Sequence, residues 1–135
     1  MDQLARLNRR LAAIPVAVRE AVNPALETSA NEMAEAMRKF APEDTGALKD
    51  SITVTPGGAT TPAYSQPGGS QKVPKNAVAI TVGNTDVRYP HLVEYGTEGA
   101  SPQPFFWPAF RLYRLRAQRR ISRAIGKAVR EGWKK

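Results

Sequence analysis

The first 40 residues carry apolar side chains at the spacing of an amphipathic helix. Most steps between them are three or four residues, so they form one stripe along a helix. Pro15 and Pro24 interrupt the stripe, because proline removes an amide donor and clashes with the preceding turn. Asn23 before Pro24 is typical of a cap followed by a first-turn proline, which predicts a second helix from there and a kink at Pro15. The stripe comprises Leu4, Leu7, Leu11, Ile14, Val18, Val22, Leu26, Met33, Met37 and Phe40.

A turn is predicted after this helix, over residues 41–46. Pro42 stops the helix, and Asp44 and Gly46 are residue types that favour turns. Asp44 or Thr45 could also cap a short helical turn that follows. Gly46 is expected to hold a positive φ angle, so that a valine at this position would harm folding.

Two short strands are predicted on either side of a long loop. Residues 51–55 and 77–83 alternate apolar and polar side chains, the pattern of half-buried strands. The segment 56–76 between them holds four glycines and four prolines, which indicates a flexible loop joining the strands as a long antiparallel hairpin. Residues 87–97 could form a third strand or a helical turn, and the sequence does not decide between them.

A second long helix is predicted from Pro104 onward. Pro104 and Pro108 both fit near a helix start. The order of helix, two strands and helix predicts one α+β domain over residues 1–135, with a small antiparallel sheet packed against helices. The apolar stripe of the second helix comprises Phe106, Phe110, Tyr113, Ala117, Ile121, Ala124, Ile125, Ala128 and Val129.

The amino-acid composition excludes several kinds of chemical site and sequence segment. The chain of 135 residues contains no cysteine, which excludes disulfides, thiolate metal sites and cysteine nucleophiles. Its apolar runs are too short to span a membrane. The charged start lacks the apolar segment of a secretory signal, so no such signal is expected.

The basic charge is concentrated in the C-terminal helix. Residues 111–135 hold ten basic residues and one acid, a net charge of +9, whereas the rest of the chain carries −1. This helix could contact nucleic acid, a membrane surface or an acidic protein face, or it could be a solvated helix face. The candidates for contact with DNA or an acidic partner are Arg111, Arg114, Arg116, Arg119, Arg120, Arg123, Lys127 and Arg130.

No set of residues has the sequence pattern of a catalytic or metal site. His91, the sole histidine, lies three residues before Glu94, but a zinc protease motif needs two histidines one turn apart. Ser51 has only Lys49 and His91 as candidate bases, and nothing in the sequence positions them. We therefore expect a protein without enzymatic activity, cofactor or metal.

Three short blocks of sequence resemble a known family. They are PEDTGALKDSI at residues 42–52, YPHLVEYGT at residues 89–97 and PFFWPA at residues 104–109. In this order the blocks are similar to the tail-component family of long-tailed double-stranded-DNA bacteriophages, also called tail-completion or head–tail joining proteins. The resemblance extends over about residues 1–130. The matched positions are Pro42, Asp44, Thr45, Gly46, Leu48, Tyr89, Glu94, Gly96, Thr97, Pro104, Phe105 and Pro108.

The resemblance implies a structural virion protein of the neck or tail, assembled in the host cytoplasm. It implies a homo-oligomeric ring, commonly a hexamer, that joins the head connector to the tail tube. The neighbours implied are connector or stopper proteins and tail-tube or tail-terminator proteins. Non-specific contact of the basic helix with viral DNA stays open, and no membrane contact is expected. It also implies no enzymatic activity and no cofactor, with the matched positions defining the fold.

Two other functions stay open at this point. One is a tail terminator that caps the tail tube, and the other is a small basic nucleic-acid-binding module, which would bind DNA with a steep salt dependence. The cluster Phe105, Phe106 and Trp107 is a candidate interface anchor, because large aromatics dominate interface energies, or it is part of the core.

Overall fold

The computed structural model describes residues 20–42 and 46–133 of the chain. Helices and one two-stranded antiparallel sheet make up this part, which confirms the α+β class. None of the helices within these ranges is both long and apolar enough to cross a membrane. The elements in chain order are α1 (Asn23–Phe40), α2 (Gly46–Asp50), β1 (Thr53–Pro56), β2 (Val78–Thr81), α3 (Pro90–Tyr95) and α4 (Phe106–Trp133).

The start of α1 differs by one residue from the prediction. Asn23 is the first helical residue, Val22 occupies the cap position, and no side chain caps the first turn. A cap at Asn23 is therefore wrong, although Pro24 does lie in the first turn as predicted. α1 ends where Ala41 becomes extended and donates its N–H to the carbonyl oxygen of Met37 at 2.9 Å. The predicted stripe and kink before residue 20 lie outside the described residues.

The turn after α1 is followed at once by the short helix α2. Gly46 is the first residue of α2, and its φ angle is not in the left-handed region. A Cβ added to Gly46 would meet no other atom within 4 Å. The expectation that Gly46 holds a positive φ angle, and that valine would harm folding for that reason, is therefore wrong. The proposed caps Asp44 and Thr45 lie outside the described residues.

The side chain of Ser51 links the end of α2 to the sheet. Its buried hydroxyl donates to the carbonyl oxygen of Leu48 at 2.7 Å and accepts from the N–H of Gly83 at 3.0 Å. Both hydrogen-bonding roles of this hydroxyl are thus filled by backbone groups, which gives Ser51 a structural role.

The two strands pair as the predicted hairpin. Thr53 lies opposite Thr81 and Val54 lies opposite Ile80 in an antiparallel register. The long connection is itself hydrogen-bonded: the N–H of Gln66 donates to the carbonyl oxygen of Val82 at 2.8 Å, and the reverse bond measures 3.0 Å. The connection therefore folds back beside the end of β2. Its buried residues are Thr61, Ser65 and Val73.

The core lies where α1 packs against α4 and the sheet. Ala34 on α1 and Ala109 on α4 have no exposed surface, and such small residues let two helices approach closely. Met37, Leu48 and Phe105 fill the adjacent space with large, fully buried side chains. This packing fixes the orientation of α4 relative to α1.

The segment that the sequence left undecided is helical. Residues 90–95 form α3, with Tyr89 at its cap position and Gly96 at its C-terminal end. α4 follows after a connection of ten residues and starts close to the predicted position at Pro104. Pro108 lies in the first turn of α4, where proline is tolerated.

Candidate functional site

The carboxylate of Glu94 lies at the amino-terminal end of α4, although Glu94 itself belongs to α3. Its Oε1 accepts hydrogen bonds from the backbone N–H groups of Phe105 and Phe106 at 3.0 and 2.9 Å. Its Oε2 accepts one from the N–H of Trp107 at 3.3 Å. These donors belong to the first turn, where a helix leaves its N–H groups without intrahelical partners. Glu94 therefore caps α4 from a separate helix.

The negative charge of Glu94 suits this position. A helix carries partial positive charge at its amino-terminal end, so a carboxylate there is stabilised by the dipole as well as by hydrogen bonds. Glu94 is also buried, and a buried carboxylate without partners would be strongly unfavourable. The three N–H donors make its burial tolerable, and the residue holds α3 and α4 together.

The backbone between α3 and α4 requires glycine at position 96. Gly96 has a φ angle of 79°, in the left-handed region that side chains rarely adopt. A Cβ there would lie 2.8 Å from the nitrogen of Pro102 and 3.0 Å from the carbonyl oxygen of Ala100. Thr97 pairs with Ala100 just after this turn. Gly96 is thus fixed by its backbone conformation and by a close approach of the chain.

The aromatic cluster at the start of α4 is divided between core and surface. Phe105 and Phe106 are buried, whereas Trp107 is half-buried. The Trp107 ring packs edge-on against Phe106 and Phe110, with centroids 5.0 and 5.9 Å apart. Its Nε1–H donates to the hydroxyl of Tyr95 at 2.8 Å. Of the three residues considered as an interface anchor, only Trp107 offers appreciable surface to a partner.

A groove with apolar walls opens between α1, β2 and α4. It has a volume of about 300 Å³, and we call it the apolar groove. Leu26 of α1, Ile80 of β2 and Ile121 of α4 line it, and all three are only partly buried. Trp107 and Phe110 also form part of its wall. Partly exposed apolar side chains gathered in a concave surface are typical of a binding site.

A second apolar surface lies on the opposite side of α4. Leu112 is 64% exposed and Leu115 is 54% exposed, and we call them the exposed leucine pair. At 100° per residue, both point away from Ala117 and Ile121, which face the apolar groove. The sequence held a signal for them, because both leucines lie off the apolar stripe of this helix.

Two of the basic residues on α4 bind α1. Arg120 forms an ion pair with Glu32 at 2.6 Å and also donates to the hydroxyl of Ser29 at 3.2 Å. Arg116 lies 3.3 Å from the other oxygen of Glu32. These contacts join the two long helices, so Arg116 and Arg120 are partly used within the subunit. The remaining basic candidates are exposed: Arg111, Arg114, Arg119, Arg123, Lys127 and Arg130.

The Arg120 guanidinium, which donates a hydrogen bond to Glu32, holds the pKa of that carboxyl below its ordinary value of 4.5. Burial has the next largest effect and raises this pKa, whereas the nearby positive charges of Arg120 and Arg116 lower it further. A lowered folded-state pKa means that the ionised form stabilises the fold. This contribution is present above the unfolded-state pKa and is lost as the pH falls through the folded-state pKa.

We expect Glu32→Gln to destabilise the protein near neutral pH, and the difference to shrink as the pH falls from neutral through the lowered folded-state pKa of Glu32. Urea denaturation of both proteins across this range measures the difference. Glu98→Gln, at an exposed acid that forms no ion pair with a described residue, is the control. A difference that stayed constant with pH would contradict the expectation.

Comparison with known protein families identifies the chain. A family model described as "Bacteriophage HK97-gp10, putative tail-component" matches residues 5–96, more than two thirds of the sequence. The chain belongs to this family. The HK97-gp10-like family is the one that the three sequence blocks indicated, and membership makes the protein a bacteriophage tail component. Searches of curated proteins and of solved structures gave no match.

The match to the HK97-gp10-like family ends at Gly96. It contains the first sequence block and all of the second except Thr97, whereas the third block and the whole of α4 follow it. The capping carboxylate of Glu94 therefore comes from the matched part of the chain, and the helix that it caps lies beyond it. The apolar groove is likewise built from both parts.

Four residues of the family motif have evident structural roles. Leu48 and Phe105 are core side chains with almost no exposed surface. Glu94 caps α4, and Gly96 permits the turn after α3. The other described motif residues lie at or near the ends of helices. They are Pro42 after α1, Gly46 at the start of α2, Tyr89 before α3, Thr97 after it, and Pro104 and Pro108 on either side of the start of α4.

Proposed function

We propose that this tail component is a non-enzymatic ring subunit that joins the head connector to the tail tube in the virion. Its neighbours would be connector or stopper proteins on one side and tail-tube or tail-terminator proteins on the other. Family membership supports a tail protein. The ring, its six-fold symmetry and its position at the neck belong to the proposal.

The observation that carries the proposal is the presence of two different apolar surfaces on one subunit. The apolar groove is concave, whereas the exposed leucine pair projects from the other side of α4. A contact between two unlike surfaces is head-to-tail, and such contacts form a ring when their rotation closes. Insertion of Leu112 and Leu115 into the groove of the next subunit would bury both surfaces at once.

The first test is the oligomeric state of the purified protein, measured by light scattering alone and after mixing with purified tail tubes. We expect a closed oligomer that electron microscopy places at one end of the tube. Rings in solution with no affinity for tubes would contradict the joining role. A protein that stayed monomeric with and without tubes would contradict the ring itself.

A mixing experiment tests the head-to-tail contact. Leu115→Glu disables the leucine pair, and Leu26→Glu places a charge in the apolar groove. Each variant alone should be monomeric, but an equimolar mixture should form dimers, because one intact groove can still receive one intact leucine pair. Gln118→Glu, at an exposed position on α4, should assemble normally. A mixture that remained monomeric, with both variants folded by circular dichroism, would refute this contact.

A further inference from the structure

Four basic side chains form a regular row along one face of α4. Arg119, Arg123, Lys127 and Arg130 are all exposed, and we call them the basic row. They follow each other in steps of four, four and three residues, which keeps them on one side of the helix. The row runs about 16 Å along the helix axis, with about 6 Å between neighbours four residues apart.

Nothing in the described part of the subunit uses these four charges. The carboxylate of Glu32 pairs with Arg116 and Arg120, whereas no member of the basic row forms an ion pair or hydrogen bond with any described residue. Like charges four residues apart repel each other and destabilise a helix. The stability of the subunit therefore does not account for the row.

Between Arg119 and Arg130, the face of α4 that carries the basic row holds no large apolar side chain. Ser122 and Gly126 lie among the four charges, and both are small enough to let another molecule approach the helix closely. The exposed leucine pair precedes the row on the same face of α4, whereas Ile125 and Val129 project from other directions on the helix. The centre of a protein interface is depleted of charge and rich in large side chains, whereas nucleic-acid interfaces are polar and strongly positive.

We propose that the basic row binds the phosphate backbone of duplex nucleic acid without reading its sequence. Three of its four members are arginine, whose guanidinium can donate two parallel hydrogen bonds to one phosphate. The even spacing lets successive side chains reach successive phosphates along the duplex. This binding is additional to the ring function and is measured separately from it. The basic row begins with Arg119, one turn beyond Leu115 on the same face of α4.

The test is the affinity of the full chain for a short fluorescent duplex, measured by anisotropy at salt concentrations from about 50 to about 200 mM. Four neutralised phosphates give a slope of log K against log salt of about −3.6, which is a loss of about a hundredfold over this range. The variant with Arg119, Arg123, Lys127 and Arg130 all changed to Gln should lose this binding and its salt dependence.

The matched control changes four exposed basic residues elsewhere to Gln: Lys39, Lys72, Lys75 and Arg111. Both variants carry the same net charge, so the control should keep the slope and lose only a small part of the affinity. Circular dichroism and urea denaturation verify that both are folded. Equal losses in the two variants, or no loss in the row variant, would overturn the assignment to this face.

Polyglutamate of matched length distinguishes a nucleic acid from an acidic protein surface. We expect it to compete with the duplex only weakly, because it lacks the regular phosphate geometry that the row matches. Competition as strong as that of unlabelled duplex would overturn the proposal in favour of an acidic protein partner. Absence of any duplex binding by the unchanged protein at the lowest salt would also overturn it.

Discussion

Replacing Glu94 by alanine is expected to lower the free energy of unfolding by about 2 to 4 kcal/mol. The change removes the acceptor of three backbone N–H groups at the start of α4, and the burial of this junction keeps water from replacing it. Glu94→Gln keeps one acceptor oxygen but loses the charge that complements the helix dipole. We therefore expect its loss to be about half as large.

Urea denaturation followed by circular dichroism measures these losses. His91→Ala is the matched control, because His91 lies on the same short helix with an exposed side chain. It should change the unfolding free energy by less than about 0.5 kcal/mol. Equal transition midpoints for the Glu94→Ala variant and the unchanged protein would show that the hydrogen bonds of Glu94 contribute nothing to stability.

Replacing Phe105 by alanine is expected to cost about 3 to 5 kcal/mol of stability. The Phe105 side chain has no exposed surface and lies in the core between α1, α4 and the sheet. Its removal leaves a cavity that the closely packed neighbours cannot fill. For comparison, Leu112→Ala removes a side chain that is mostly in solvent and should cost less than about 0.5 kcal/mol.

Alanine substitutions at Phe105 and Trp107 are expected to have different effects, because Phe105 belongs to the core and Trp107 to the proposed interface. Trp107 is half-buried and forms part of the apolar groove, so Trp107→Ala should reduce ring assembly more than it reduces the stability of the isolated subunit. Thermal unfolding and light scattering of both variants measure the two effects. A Phe105→Ala variant that kept its unfolding temperature but failed to assemble would assign Phe105 to the interface.

The helices and strands whose apolar residues recur at a regular period could be predicted from the sequence. The apolar stripes of α1 and α4 and the alternation in β1 and β2 each reflect one buried face, so their period follows from local geometry. The predicted start of α1 is misplaced by one residue because Asn23 is a preferred capping residue and Val22 is not, yet Val22 occupies the cap position. The φ angle of Gly46 is not predictable because glycine adopts positive and negative φ angles about equally readily, and the sequence alone does not select one.

The contacts between distant residues were not predictable from local patterns. The sequence shows Glu94 only as an acid three residues after a histidine. Its hydrogen-bond partners are backbone N–H groups 11 to 13 residues further along the chain. One signal was available: Gln103, Pro104 and Phe105 are not capping residues, so the first turn of α4 needed an acceptor from elsewhere. Likewise, no local pattern separates Arg116 and Arg120 from the other basic residues, because Glu32 lies more than 80 residues away.

The cap at Glu94 has a mechanical consequence for the far end of α4. A helix of 28 residues is about 42 Å long, so it acts as a lever arm whose pivot lies at its capped end. A tilt of only about 5° at that pivot would move the opposite tip by about 4 Å, more than the length of a hydrogen bond. A small change in the orientation of α3 would thus produce a larger displacement at the far end of α4. The buried carboxylate of Glu94, together with the packing of α4 against α1, therefore sets the accuracy with which surfaces tens of ångströms away can meet their targets.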